Sequence, residues 1–170
     1  SPRGREGQAI TWVAPDKLGR YSMPPADLPV VAALRQPDQY LITPAPADDD
    51  ALAQQWQQQL HQAVALGHAR IQLRVPPQHP QRQALIESAV RSHGRGGPQW
   101  LLNRDIELAR ALGVGVHLGS EQLLALAERP LPVGQLVAAS CHDLAQLQAA
   151  QRLGCDCAVL GPVKATASHP

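Results

Sequence analysis

Between residues 99 and 122 apolar runs and polar breaks alternate in the order strand, helix, strand. Residues 100–102 form an apolar run that ends in Asn103, Arg104 and Asp105. Ile106, Leu108, Ala109 and Leu112 then share one helical face, and Gly113 closes the helix. A second apolar run, 114–118, stops at Gly119. So compact a βαβ pattern calls for parallel strands in a buried sheet. In such units the polar residues just past each strand's C-terminal end line the working face, which selects Asn103 and His117.

The same alternation extends in both directions. A strand is expected at 40–43, followed by a helix over 51–66 that one of Asp48, Asp49 and Asp50 caps. Leu52, Trp56, Leu60, Ala63 and Val64 make the apolar stripe of that helix. In the strand at 69–75, Ile71, Leu73 and Val75 alternate with Arg70, Gln72 and Arg74, so Gln72 and Arg74 point to the same side. A polar pair on an apolar parallel strand is costly unless it faces a site, which makes both ligand-binding candidates. Helices follow at 81–91 and 121–128, with a Gly-rich break at 94–98. A fifth strand at 135–140 puts Ser140 and His142 at i and i+2 on one face, and Asp143 caps a helix over 144–153. The sixth strand, 157–160, leads into a loop at 161–170. Strands alternating with helices fit an α/β fold, either an open doubly wound sheet or an incomplete eight-fold barrel. No Gly-rich phosphate loop follows the first strand, which argues against a dinucleotide fold.

Composition narrows the function classes. A hydrophobic content of 44% supports a core, and 3% aromatics with no Phe make it an aliphatic one. A net charge of +1 offers no argument for nucleic acid or membrane surfaces as partners. Three cysteines do not make a disulfide framework, so a reducing cytoplasm is expected, and Cys155-Asp156-Cys157 is spaced too closely for a metal site. No apolar run approaches the roughly 20 residues of a membrane span. His61, His68, His79 and His93 read as surface or loop residues, and His117 as a supporting residue. Residues 1–37 stand outside the repeating plan; they are rich in Pro and Gly, with a strand-like run at 9–13 and a helical segment at 28–34. The Ser1 start and the turn-like end at His169-Pro170 read as a fragment at both ends.

The pieces YLIT, IQLR, LLNRDIELA, GVHLG, Ser140-Cys141-His142 and LGPV with Thr166-x-Ser168, in that order, resemble the thiamine phosphate synthase/TenI family. The resemblance covers residues 38–170 and implies a (βα)8 TIM barrel, of which about six βα units are present. By the same resemblance Gln72, Arg74, Asn103 and Ser140 contact a pyrimidine or thiazole phosphate, and Thr166 and Ser168 contact phosphate. Family synthases use Mg²⁺ held by two Asp residues; those positions are Arg104 and Gln122 here, and the Lys of the family's Gln-x-Arg-x-Lys is Pro76. No metal or other cofactor is therefore expected on this chain, because Mg²⁺ holds poorly without carboxylates. Ser140-Cys141-His142 is more similar to the TenI-type thiazole tautomerases, in which a His at this strand end exchanges protons, a role that falls on His142.

The first 37 residues carry a different resemblance. GREGQAITWVAPDKLGRYSMPPADLPVVAAL is similar to the C-terminal end of a MutT-type Nudix hydrolase, where the residue after PPA reads the nucleobase, here Asp27. Asp27 also reads as the N-cap of the following helix. The Glu-rich Nudix signature is absent from this chain, so it is not expected to hydrolyse nucleotides alone. Two functions result: a thiamine-type barrel with tautomerase-like acid–base chemistry, or an accessory module of a MutT-type 8-oxo-dGTP diphosphatase.

Overall fold

The computed structural model describes residues 4, 6, 7, 9–93 and 96–162. The chain divides into two compact units, residues 1–38 and 39–170. In the first, 3-10 turns at Pro15–Arg20 and Pro25–Asp27 precede helix α1, Leu28–Leu34, which buries no residue. The run at 9–13 is not a strand, and Ile10 and Trp12 are exposed. An extended segment without a neighbouring strand has no partner for its backbone N–H and C=O groups, so apolar alternation alone does not make it one.

The second unit follows one plan throughout. Its elements are β1 (Leu41–Ile42), α2 (Asp50–Ala65), β2 (Arg70–Leu73), α3 (Arg82–Ser92), β3 (Gln99–Asn103) and α4 (Ile106–Leu112). They continue with β4 (Gly115–Leu118), α5 (Ser120–Ala125), β5 (Val137–Cys141), α6 (Leu144–Leu153) and β6 (Cys157–Leu160). All six strands are parallel, and their order in the sheet is the order in the chain. A doubly wound sheet reverses direction at a switch point; this one never does. Right-handed crossovers in an unbroken order place every helix on one face of the sheet and curl it, which makes an incomplete α/β barrel.

Strand alternation divides the residues between two environments. Ile71, Leu73, Trp100, Leu102, Val116, Leu118, Val137 and Ala139 pack with the helices in one apolar core, where Trp56, Leu60, Ile86, Leu123 and Leu153 meet them. Each fully buried Ile or Leu contributes about 1.5–3 kcal/mol of transfer free energy. Leu101 and Ala138 are equally buried but belong to the inner face of the curl, outside that cluster. Helix starts are fixed by carboxylates: Asp49, Asp105 and Asp143 accept from the backbone N–H groups of Leu52, Leu108 and Gln146. Gly113 and Gly154 end α4 and α6 in the left-handed region, at φ 69° and 71°.

The elements at 28–34, 144–153 and 157–160 have the expected bounds, the others differ by one to three residues, and one histidine changes environment. His79 is buried; its Nε2 meets the Ala47 carbonyl at 3.1 Å, and its Nδ1 accepts from the Gln81 N–H. It closes the loop before α3 and is not a surface residue. His93 also serves packing, with its ring against Trp100. Among the described residues no helix is long and apolar enough to cross a membrane.

Gly115 shows how tightly the inner face is closed. A Cβ there would lie 2.7 Å from the Leu136 carbonyl oxygen and 2.9 Å from the Leu136 Cβ. Gly115→Ala is therefore expected to destabilise the protein by roughly 1–3 kcal/mol. Urea unfolding checks it: the midpoint should drop with an unchanged slope, and an unshifted midpoint would contradict this packing.

Candidate functional site at the strand ends

The C-terminal ends of the strands open into a cleft of about 560 Å³. Each strand contributes one lining residue: Ile42, Gln72, Asn103, His117, Ser140 and Val159, from β1 to β6 in turn. The loops add Arg74, Pro77, Arg104 and Gly119. Parallel pairing sets the spacing, with Asn103 beside His117 and Ser140 beside Val159. Thr43 ties the ends of β1 and β2 together: its N–H donates to Gln72, and its Oγ1 accepts from the Arg74 N–H at 3.0 Å.

His117 is the centre of the inner face. It is buried, yet both ring nitrogens are engaged: Nδ1 with the Tyr40 hydroxyl and Nε2 with Ser140 Oγ, each at 2.8 Å. Burial, then the positive charges of Arg104 and Arg74, push its pKa down to about 4. Burial also raises the Tyr40 hydroxyl above its usual range, so both groups are neutral near pH 7. A neutral imidazole has one N–H, so the chain reads in either direction. Tyr40 donates to Nδ1 while Nε2–H donates to Ser140, or Ser140 donates to Nε2 while Nδ1–H donates to Tyr40. Switching between them by proton transfer releases a proton at the Ser140 end, which lies in the cleft, as the Tyr40 hydroxyl takes another up, and the reverse switch does the opposite.

Beside this chain, Gln72 Nε2 donates to Asn103 Oδ1 at 2.8 Å, and Gln72 Oε1 is buried without a partner. An unpaired buried acceptor costs about 1–3 kcal/mol, and a ligand N–H or O–H would recover it. Arg104 is the one non-glycine residue with positive φ (61°) among the described residues. That conformation costs an L-residue on the order of 1 kcal/mol. It is held by the Arg104 N–H donating to the His117 carbonyl, and by Gln122 Nε2 donating to the Arg104 carbonyl at 2.9 Å.

The model of a family described as thiamine monophosphate synthase matches residues 39–170. The chain belongs to the thiamine monophosphate synthase family. It is 39% identical over 87 residues to a thiamine-phosphate synthase of Prochlorococcus marinus (strain MIT 9313), half of this chain and 24% of that protein. It is 38% identical over 109 residues to the thiamine-phosphate synthase of Gloeobacter violaceus, 61% of this chain and 31% of that protein. It is 36% identical over 96 residues to the thiamine biosynthesis bifunctional protein ThiM/ThiE of Symbiobacterium thermophilum, 55% of this chain and 19% of that protein. The chain thus spans about a quarter of the length of the curated relatives it matches. The family match begins at residue 39, after the unit that carries Asp27.

Within this family member the expected contact residues fall unequally. Gln72, Arg74, Asn103 and Ser140 all line the cleft. Thr166 and Ser168 lie outside the described residues. His142 lies one residue past the end of β5, at the bend that brings Asp143 to the start of α6. His142 is exposed; its N–H donates to Gln146 Oε1 and its Nδ1 meets the Gly161 carbonyl, and it is not among the lining residues. Asp27 occupies the N-cap position of α1 but its side chain makes no capping hydrogen bond. Sequence reasoning missed Tyr40, Arg104 and the central place of His117. One signal for Tyr40 was available: it is two residues before Ile42 and so shares that residue's inward parity.

The residues present do not fit Mg²⁺. Among the described residues no carboxylate lines the cleft, which carries two guanidinium groups instead. Gln122 spends its amide on Arg104 and on the Gly119 N–H, and Asp105 caps α4 while pairing with Arg82 at 2.6 Å. A hard dication needs anionic oxygen ligands, and these positions offer none.

The buried imidazole makes stability depend on pH. Unfolded, His117 titrates near its ordinary 6.5; folded, it titrates near 4, so the unfolded chain binds more protons between those values. Its contribution is full above pH 6.5 and is lost as pH falls toward 4, roughly 3 kcal/mol in all. His117→Gln should flatten that limb in urea unfolding measured across pH; an equally steep limb in the variant would place the titration elsewhere.

Proposed function

We propose that the barrel unit binds a thiazole or pyrimidine phosphate of thiamine biosynthesis, and that its chemistry is proton exchange of the thiazole tautomerase kind. The observation that carries this reading is a cleft whose described lining has two guanidinium groups and no carboxylate, arranged around the neutral Tyr40–His117–Ser140 chain. Guanidinium groups suit a phosphate ester. The amide pair Gln72–Asn103 offers a buried acceptor to a ring substituent that donates. Thr166 and Ser168 are proposed as further phosphate contacts. Pyrophosphate displacement, in which a metal ordinarily neutralises the leaving group, is disfavoured because the described lining offers no carboxylate to hold that metal.

Two histidines compete for the acid–base role. His142 is the one implied by the TenI resemblance. A carbonyl only accepts, so its Nδ1 carries the proton against Gly161 and Nε2 is the basic nitrogen. His117 is favoured by its place in the cleft, where it would act through Ser140. For residues 1–38, Asp27 is proposed to read a nucleobase beside a MutT-type centre, a role open to an exposed carboxylate that caps no helix. In that alternative the barrel is an accessory module, and loss of the gene raises the mutation rate.

The test follows aromatisation of a thiazole phosphate carboxylate by ultraviolet absorbance in the protein and in two variants. The acid–base residue is the one whose replacement, His142→Ala or His117→Gln, slows turnover by roughly 10²-fold or more with binding within a few-fold. Robust thiamine phosphate formation with Mg²⁺, or no binding of either phosphate, would overturn the proposal.

A further inference from the structure

The cleft holds two arginines that no carboxylate neutralises. Arg82, Arg91, Arg110 and Arg129 each pair with an Asp or Glu, whereas neither Arg74 nor Arg104 has such a partner among the described residues. Both are exposed at the mouth of the cleft, and both bear on the buried His117. Among the described residues the lining holds no acidic side chain that could claim them.

Arg104 is placed, not merely present. Its backbone is clamped in the left-handed region by His117 on one side and Gln122 on the other. Gln122 in turn accepts from the Gly119 N–H at 3.2 Å, so one side chain joins both rims of the β3 and β4 ends. The guanidinium lies over Gly119, where a Cβ would sit 2.7 Å from Nε and 2.9 Å from Cζ. A side chain at 119 would push that group out of its present place. A left-handed arginine is an unfavourable choice for folding alone, whereas Gly119 also serves as the N-cap of α5. Together they hold a planar donor fork at the lining of the cleft.

We infer that Arg104, with Arg74, seats the phosphate or pyrophosphate group of the ligand directly, so that anion binding in this barrel needs no metal ion. The inference rests on the proposal that the cleft takes a phosphate ester, and adds the identity of the charge partner. Guanidinium forks bind phosphate oxygens bidentately and hold their charge at every accessible pH. Bound Mg²⁺ would meet the same two cations and no carboxylate, so added metal competes with the site for the anion.

Inorganic pyrophosphate is the probe, titrated calorimetrically into the 170-residue chain in EDTA and again in excess MgCl₂. Binding is expected in EDTA, and MgCl₂ should leave it unchanged or weaken it. Arg104→Gly keeps the left-handed backbone without strain, so its unfolding midpoint should equal or exceed the wild type's while affinity drops roughly tenfold. Arg74→Ala should weaken binding similarly, and Arg152→Ala, on the exposed face of α6, should not. Arg104→Asp should bind only when Mg²⁺ is added. A wild-type requirement for Mg²⁺, no pyrophosphate binding, or Arg104→Gly affinity within twofold of wild type would overturn the inference. A thiazole phosphate that binds with Arg104→Gly as tightly as with wild type would sink this assignment while leaving the proposed function standing. Pyrophosphate binding in EDTA without any thiazole or pyrimidine phosphate binding would do the reverse.

Discussion

The site depends on a buried imidazole that has a hydrogen-bond partner on each side. His117 joins Tyr40, at the entrance to the first strand, to Ser140, on the fifth, with 2.8 Å contacts to both. Tyr40 and His117 are 77 positions apart in the chain, and their meeting requires the sheet to curl back on itself. A flat sheet in the same strand order would separate them. A charged His117 would sit among two guanidinium groups in a buried position, which is why its protonation is suppressed and the chain stays neutral. The curl, the neutral relay and the positive cleft are thus one arrangement: each is costly without the others.

Fold and charge separate the roles of the two faces of every strand. Side chains at one parity make the aliphatic core against the helices, and those at the other give the inner face its polar rim. On that rim the Arg104 backbone and the Gln122 amide are tied to each other, and the neighbouring Asp105 carboxylate is taken up by Arg82 and the start of α4.

Much of this was legible in residue patterns, and the limits have physical causes. The alternation in 69–75 was enough to place Gln72 and Arg74 on one face, because a parallel strand has only two sides. Gly113 and Gly154 marked helix ends because both take the left-handed turn that glycine allows. The pairing of Ser140 with His142 required β5 to run one residue further than it does, and strand ends are set by the next cap, not by alternation. Arg104 had no local signal, since its conformation is imposed by His117 and Gln122 from other elements. His79 looked like a loop residue and is one, but the loop folds over it.

The state of His117 itself tests this account most directly. Long-range ¹H–¹⁵N spectra of the histidine side chains, recorded from pH 8 down to pH 4.5, report charge and tautomer for each imidazole. The account predicts that His117 remains neutral to below pH 5 and that its two ring nitrogens shift when a thiazole phosphate is added. A His117 that titrates near its ordinary 6.5, with ring nitrogens unmoved by the phosphate, would contradict the claim that a neutral relay forms the floor of a phosphate site.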